Sequence, residues 1–551
     1  MSHIEIRFHS SLEKLSPFTA QQSAPLKNLS GLWGEWVSFQ ISFQCSDTYF
    51  DDLYSCVTVE CPGTQPQVYL VEQVPCTLPC MPSSTGAYIS KSPSLMPDPL
   101  HPYHQQPLRV RHFFSQILWA ELLLTPDTPS GEITVTITDR SGKCVARAAL
   151  PLQVVPLNTA PQTVNHSEWF YSDCLCEKYS CEMFSDEFFE TAQRYFRFAA
   201  QHSINTLLTP VFTPSLDIEE GGRRPACQLV KIFPDEQNEY RFDFSLFERW
   251  VRTAQQTGIE FFEIAPFFSQ WGAKFAAEIY WQTEQGQQTL FGWDTPFDSP
   301  AYAHFLQIFL KELMAELHRL GIADKTFFHI SDEPSREHLS HYQTAKQQIA
   351  PYIEDCPILD ALSEHEFYKQ KLVDIPVVAE DFLSPFLRSK RTGPLWTYCC
   401  CSQDRLVPNF FLSMPSARGR ILGALMYKYK LDGFLRWGFN FWNSQFSKEP
   451  IDPYRVTDSG GGFPSGDAFL VYPGENGTPV GSIRLKVMRE AFQDIRALNR
   501  LEQLSDRQTV LDLIQDTLGD IRFTRYPAQA QRLLDFRTRL NETLAQHSTN
   551  E

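Results

Sequence analysis

Asp332 and Glu333 are adjacent acids at the end of an apolar run, FFHISDEPS (327–335), and Pro334 follows them at once. Neighbouring carboxylates repel, so away from water one of them keeps its proton at a pH where the other is ionised. A proton donor beside an anion suits glycoside cleavage. The competing use of such a pair is to cap the helix that follows, since acids favour a helix N-terminus. The Pro334 ring disfavours helical geometry for Glu333, which is expected extended or in a turn. A helix is then expected from near Ser335, with Leu339, Tyr342 and Ile349 facing inward.

Adjacency fits poorly with the ordinary retaining mechanism, which sets two acids about 5–5.5 Å apart across the scissile bond. It fits a substrate-assisted route better, in which the 2-acetamido oxygen of the sugar attacks the anomeric carbon. Asp332 would orient the acetamido N–H and stabilise the oxazolinium ion, while Glu333 would protonate the leaving oxygen and then activate water. Glu263 and Glu380 are the nucleophile candidates if the enzyme is a conventional retaining glycosidase. A non-catalytic carbohydrate-binding protein on a glycosidase scaffold is the reading from another class, and the intact acid pair speaks against it.

The elements that must position this pair follow a pattern. Short apolar runs begin near residues 168, 205, 260, 326, 357, 375, 394 and 433, and most are separated by helical stretches. Residues 300–320 are the clearest helix. Ser299 is placed to cap it, Pro300 suits its first position, Gly321 can end it, and Phe305, Phe309, Leu313, Leu317 and Leu320 form its stripe. Eight strand-then-helix units imply a (β/α)8 TIM-type barrel, whose active site lies where strands end, the place of Asp332 and Glu333. Helices after the fifth and sixth runs are weak, and 228–244 reads as an inserted hairpin with a polar turn. Residues 34–46 alternate and 131–155 read as a hairpin through Asp-Arg-Ser-Gly, so the N-terminal region is expected to be a β-sandwich. The expected organisation is multidomain: a sandwich over 1–158, the catalytic barrel over 159–480, and a C-terminal helical segment over 481–551 packing on the barrel.

Composition narrows the functions. The net charge is −17 with no basic run, so the electrostatic footprint of nucleic-acid binding is missing. No run of about 18 apolar residues exists, so no membrane span is expected. The first residues carry no secretory signal pattern, and reduced thiols are the expectation for the 14 cysteines, CCC at 399–401 among them; the reading is a cytoplasmic protein. CEKYSC (176–181) and CTLPC (76–80) lack partner pairs at zinc spacing, and the Gly-rich stretch 458–479 lacks a phosphate-binding pattern. Neither metal nor cofactor is expected.

HISDEP after a barrel strand, GFLRWGFNFWNS (433–444), and GDAFLVYPG followed by SIRLKVMREAFQDIRALNRLE (466–502) give the chain a likeness across most of its length. It resembles glycoside hydrolase family 123 and the related bacterial domain-of-unknown-function 4091 proteins. The resemblance implies a β-N-acetylgalactosaminidase using the substrate-assisted route, with Asp332 as stabiliser and Glu333 as acid/base. The missing signal favours a small imported oligosaccharide as substrate. Candidate sugar-binding residues are Tyr171 and Asp173 at the first strand end, Trp396 and Tyr398 on the seventh strand, and Trp437, Asn440 and Trp442 after the eighth. Asp467 and Tyr472 lie in the Gly-rich loop, and His329 is placed to orient the acids. Each aromatic or amide of this set also has a plain packing role open to it.

Overall fold

The computed structural model describes residues 4–45, 53–234 and 239–548. It divides into two compact units: Met1–Gln162, Asp404–Lys430 and Val480–Glu551 form one, Thr163–Gln403 and Leu431–Pro479 the other.

The second unit is built on eight parallel strands: β1 Asn165–Glu168, β2 Thr206–Thr209, β3 Phe261–Ile264, β4 Thr326–Phe328, β5 Leu359–Leu362, β6 Ile375–Ala379, β7 Trp396–Tyr398 and β8 Gly433–Arg436. They pair in the order β4-β3-β2-β1-β8-β7-β6-β5. The remaining seam, β4 to β5, is joined by a single bridge, Phe328 with Ile358, and by the Phe328 N–H donating to Pro357 O at 3.0 Å. The result is a nearly closed barrel. All eight apolar runs supply a strand, but each strand is shorter than its run. The chain leaves the sheet at the rim, where residues such as Trp169–Tyr171 and 437–442 continue as loops. The first strand also starts earlier than its run, because Ser172–Tyr179 already coils into a helix.

Helix Pro300–Leu320 has the expected bounds, with Pro300 in its first turn and Gly321 left-handed at φ 69°. Ser299 sits at the N-cap, yet its hydroxyl makes no capping bond. After β5 and β6 the helices are only His365–Lys369 and Leu383–Arg388. The hairpin Lys231–Pro234 with Tyr240–Asp243 is present, and its polar turn, 235–238, lies outside the described residues. A second hairpin, Ile279–Thr283 with Gly286–Phe291, was not expected. Its second arm, GQQTLF, is mostly exposed and lacks the apolar alternation that marks a strand.

Contacts between strands that are not neighbours must pass through the barrel interior. Phe327 on β4 meets Trp396 on β7 with ring centroids 5.3 Å apart, and Phe261 on β3 stacks on Phe327 at 5.9 Å. Trp396 and Gly433 are partners in the β7–β8 register. A Cβ on Gly433 would stand 2.1 Å from the Trp396 ring, so only glycine leaves room for the indole.

The first unit is mostly sheet. One sheet has the order Ile4–Ser10, Trp36–Cys45, Gln116–Leu123, Gln67–Cys76, Ser94–Pro102 and Pro479–Ser482; the other runs Leu29–Trp33, Cys144–Asn158, Gly131–Asp139, Leu53–Glu60 and Leu108–Val110. The expected 131–155 hairpin is there, its turn held by Asp139 Oδ1, which accepts the Ser141 and Lys143 N–H groups at 2.9 and 3.1 Å. Phe39, Ile41, Phe43, Leu118 and Leu122 from one sheet share a hydrophobic cluster with Val57, Ile133, Val135, Ile137 and Leu150 from the other. Helices Ser416–Arg420, Leu422–Tyr429, Ile483–Leu504, Arg507–Leu518 and Ala530–Ser548 belong to the same unit. No helix among the described residues is long and apolar enough to cross a membrane.

Filling the space beside Trp396 is expected to be costly. Gly433→Val should destabilise the fold by about 1–3 kcal/mol, the range of core overpacking. Chemical denaturation measures this as a lower midpoint at an unchanged m-value.

Candidate active site

The pocket at the rim is formed by loops that leave β1, β2, β3, β4, β7 and β8. Trp169, Tyr171, Asp217, Gln270, Trp271, Asp332, Glu333, Tyr398, Cys400, Trp437 and Phe463 are among its walls. Asp332 and Glu333 both face it, although successive side chains of an extended chain point to opposite sides. The backbone resolves this at Glu333, whose φ is +46°, a left-handed value uncommon for a residue other than glycine. The expectation of extended or turn geometry thus resolves to a bend. Glu333 N–H donates to Ala361 O at 3.1 Å and Trp271 N–H donates to Asp332 O at 3.0 Å, which fixes the bend from two other loops. Beyond Pro334, Ser335 opens a capping box with His338. A short 3-10 turn leads into helix Leu339–Ile349, which buries Tyr342 and Ile349 and leaves Leu339 half-buried.

Each acid has one dedicated donor. Gln270 Nε2 donates to Asp332 Oδ2 at 2.7 Å, and Tyr398 OH reaches across the mouth to Glu333 Oε1 at 2.6 Å. Burial, with the neighbouring Glu333 charge added, pushes the Asp332 carboxyl well above its ordinary range. Burial also raises Glu333, against the opposing Tyr398 bond. Two such acids cannot both be charged cheaply, so burial and repulsion together favour one proton on the pair.

Beneath the pair lies a buried ion cluster. His329 Nε2 bonds Glu263 Oε1 at 2.5 Å, and His329 Nδ1 bonds Asp360 Oδ1 at 2.8 Å. Burial alone would lower the imidazole, but Glu263 and Asp360 outweigh it and hold the pKa at about 10, so His329 is a cation at neutral pH. Glu263 accepts further bonds from Trp169 Nε1 at 2.8 Å and from the Ser167 hydroxyl, and Asp360 from the Tyr342 hydroxyl.

Of the residues singled out in the sequence, Asp332, Glu333, Tyr171, Tyr398 and Trp437 line the pocket together. Arg224 lies over the Tyr171 ring at 5.1 Å, and the Tyr171 hydroxyl is buried with no partner among the described residues. The others stand behind the wall. Asp173 is paired with Arg224 at 2.9 Å in the interior. Asn440 exchanges both bonds of its amide with the Tyr171 backbone, at 2.9 and 3.0 Å. Trp442 donates its indole N–H to Val471 O, and Tyr472 packs on Tyr454 and Phe469. Asp467 accepts the Trp437 indole N–H at 3.0 Å and so holds a pocket residue. Trp396 fills the barrel interior, and neither Glu263 nor Glu380 lines the pocket.

Sequence reasoning passed over Asp217, Gln270 and Trp271. Gln270 accepts the Asp217 N–H at 2.7 Å while donating to Asp332, so one amide links two loops. Asp217 Oδ2 accepts the Phe446 N–H at 3.0 Å, and burial pushes its carboxyl up to about 6. The one available signal was position, since FFSQW (267–271) follows β3 as SDE follows β4. None of the fourteen cysteines is joined in a disulfide. No group of three or more His, Cys, Asp or Glu among the described residues is arranged to hold a metal ion.

Residues 169–501, well over half the chain, match the family model for the catalytic domain of glycoside hydrolase 123. A solved family 123 glycoside hydrolase from Clostridium perfringens, studied for glycolipid glycan hydrolysis, is similar at a TM-score of 0.73 and 13% identity, covering 100% of this chain and 99% of that one. At that identity the likeness is one of fold. A family 5 mannosidase from Rhizomucor miehei in complex with mannosyl-fructose gives a TM-score of 0.32 at 9% identity over 61% of this chain and 93% of its own, too slight an overlap to bear on the fold. No curated protein matches the chain.

A carboxyl whose pKa is higher folded than unfolded favours unfolding once the unfolded chain can ionise. Asp332→Asn removes that penalty and leaves the Gln270 amide an acceptor. The variant should melt higher than the parent at pH 7, and the gain should fade as pH falls below about 4, the ordinary carboxyl range. Calorimetry across pH reads both.

Proposed function

The chain belongs to glycoside hydrolase family 123, and we propose that this hydrolase releases terminal β-linked N-acetylhexosamine, above all N-acetylgalactosamine, by a retaining, substrate-assisted route. A glycoside hydrolase acts on carbohydrate, and a binding-only protein on a retired scaffold falls away as a reading. The observation that carries the proposal is the placing of Asp332 and Glu333 side by side in one pocket, each with its own donor. Glu263 supports it from below: its two oxygens are occupied by Ser167, Trp169 and His329, which leaves it poorly placed as a conventional nucleophile.

In the first step the acetamido oxygen attacks the anomeric carbon and the glycosidic C–O bond breaks. Glu333 gives its proton to the departing oxygen. Asp332, ionised, accepts the acetamido N–H and faces the positive oxazolinium, whose charge favours leaving the shared proton on Glu333. In the second step Glu333 takes a proton from water, the water oxygen bonds to the anomeric carbon, and the oxazolinium C–O bond opens. Two inversions give retention. Tyr171, Trp437 and Asp217 are the side chains proposed to grip the ring, by an unpartnered hydroxyl, a flat indole and a carboxylate that accepts sugar hydroxyls. The galacto configuration rests on the family resemblance.

Asp332→Asn and Glu333→Gln should each lower kcat/KM by about 10²–10⁴-fold. Azide should partly restore Glu333→Gln on an aryl glycoside with a good leaving group. Aryl β-N-acetylgalactosaminide should be cleaved and the plain aryl β-galactoside should not. Efficient turnover of the plain galactoside would exclude a substrate nucleophile, and a residue labelled by a fluorosugar would mark the conventional one.

The pH profile offers a separate check. The pair must carry one proton in all, so kcat/KM falls as pH rises through the pair's upper apparent pKa and falls again as pH drops through its lower one. Tyr398→Phe removes the bond that opposes the rise of Glu333. The basic limb should move to higher pH, with kcat down about 10-fold, the order of a hydrogen bond to a charged group. An unmoved limb would separate Tyr398 from Glu333 in the working enzyme.

A further inference from the structure

The catalytic pocket is small. Its volume is about 110 Å³, below the roughly 300–1,000 Å³ of sites that enclose a whole small ligand. It has room for no more than one sugar ring. Whatever is joined to that ring through the scissile bond must lie outside, on the rim. Burial gives the pocket a direction. Asp332 is buried and Glu333 half-buried, while Trp271 is 39% exposed. Exposure thus rises from Asp332 to Glu333 to Trp271. The oxygen that Glu333 protonates departs outward, toward the mouth where Trp271 stands.

The three indoles of the pocket differ. Trp169 donates its N–H to Glu263 at 2.8 Å and Trp437 to Asp467 at 3.0 Å, so both belong to the wall. Trp271 has neither their burial nor, among the described residues, such a bond. Its ring meets Phe446 with centroids 6.1 Å apart and planes at 88°. A T-shaped neighbour covers at most one face of an indole. Phe446 is itself fixed, because Asp217 Oδ2 accepts its N–H at 3.0 Å.

The exposed ring sits on a backbone that is held tightly. Trp271, Gly272 and Ala273 are successive residues at positive φ: 57°, 123° and 52°. Their N–H groups turn onto the loop that carries the acids. That of Trp271 donates to Asp332 O at 3.0 Å, and those of Gly272 and Ala273 donate to Ser331 Oγ at 3.4 and 3.2 Å. A Cβ on Gly272 would stand 2.5 Å from the His338 ring, so glycine is what lets the loop approach so closely. Left-handed tryptophan is strained, and strain of this kind persists where neighbours over-determine it, often at ligand clamps. Packing gives little return for it here, since so much of the ring faces water. An apolar ring fixed in advance beside the reacting centre binds without first being ordered.

We propose that Trp271 is the platform for the leaving saccharide. The sugar joined through the scissile oxygen lays an apolar ring face on the indole while the cleaved sugar fills the pocket. Trp271 is then a specificity residue for what departs, as Tyr171, Trp437 and Asp217 are for what is cleaved. The inference rests on the substrate-assisted reading of the pocket.

Two kinds of probe, used on the full chain, separate the platform from the pocket. N-acetylgalactosamine thiazoline copies the oxazolinium and has no leaving group. Two disaccharides, N-acetylgalactosamine β-linked to O3 or to O4 of galactose, add the leaving sugar. In Trp271→Ala, kcat/KM for the better disaccharide should fall about 10-fold or more, mostly through KM. The inhibition constant of the thiazoline should stay within about 2-fold of the parent's, because uniform loss of binding is confined to the leaving side. Trp271→Gly should behave alike and keep the Tm at or above the parent's, since glycine suits left-handed backbone; it decides the matter if Trp271→Ala folds poorly. Equal weakening of thiazoline and disaccharide would put the indole on the cleaved sugar. Unchanged disaccharide kinetics in both variants, or a parent that the thiazoline inhibits yet that cleaves neither disaccharide, would leave no platform for a leaving sugar. Each of these overturns the proposal while the reading of the pocket stands. A parent that the thiazoline does not inhibit would overturn that reading itself, and this proposal with it.

Discussion

Two like charges forced into neighbouring positions of a dry pocket are the constraint around which the catalytic unit is arranged. In water, Asp332 and Glu333 would ionise together and supply no proton donor at neutral pH. Burial raises both, and their mutual repulsion keeps a proton in the pair. Among the described residues no arginine or lysine is seen bonding either acid, a pairing that would restore two ordinary carboxylates. The surroundings divide the repulsion instead, with one neutral donor for each acid: an amide for Asp332 and a phenol for Glu333.

Keeping the acids on one wall requires strained backbone. Glu333 is left-handed, and so are Asp217, Trp271, Phe446 and Ser447 on the adjoining loops. Such residues cost on the order of 1–3 kcal/mol each and persist only where the neighbourhood over-determines them. The bonds that do so are specific. Gln270 ties the Asp217 backbone to Asp332, Asp217 receives the Phe446 N–H and its carbonyl accepts the Ser447 hydroxyl, and Trp271 holds the Asp332 carbonyl. Loops after β2, β3, β4 and β8 are therefore joined into one rim.

The barrel was legible because each strand is a short apolar run in a repeating context, a signal that survives without any knowledge of partners. The acid pair was legible because its position relative to a strand end is itself a chemical statement. Side-chain direction was not. Trp396 and Tyr398 lie two apart on β7 and share a face, yet one fills the interior and the other reaches Glu333, a difference of depth that sequence spacing cannot carry. Asn440 looks in sequence like a sugar-binding amide, but both its hydrogen bonds go to the Tyr171 backbone. Gln270 and Asp217 escaped notice because their value comes from each other across 53 residues, a relation that no local pattern encodes.

The cation under the pair shows why residue type matters as much as charge. His329 stands three residues before Asp332, and its ring fixes two nitrogen directions. Both are taken, by Glu263 from β3 and by Asp360 just behind them on β5. A lysine or arginine at this position has a longer, freer side chain, and with it the reach to pair with a catalytic acid directly. Such a pairing would pull that acid down to an ordinary or depressed pKa and remove the proton that the first step needs. The imidazolium instead works at one remove: its field favours an ionised Asp332, while its N–H groups stay committed to the interior. The strand end is thus anchored by a charge that cannot neutralise the chemistry it supports, and the repulsion between Asp332 and Glu333 is preserved where the substrate arrives.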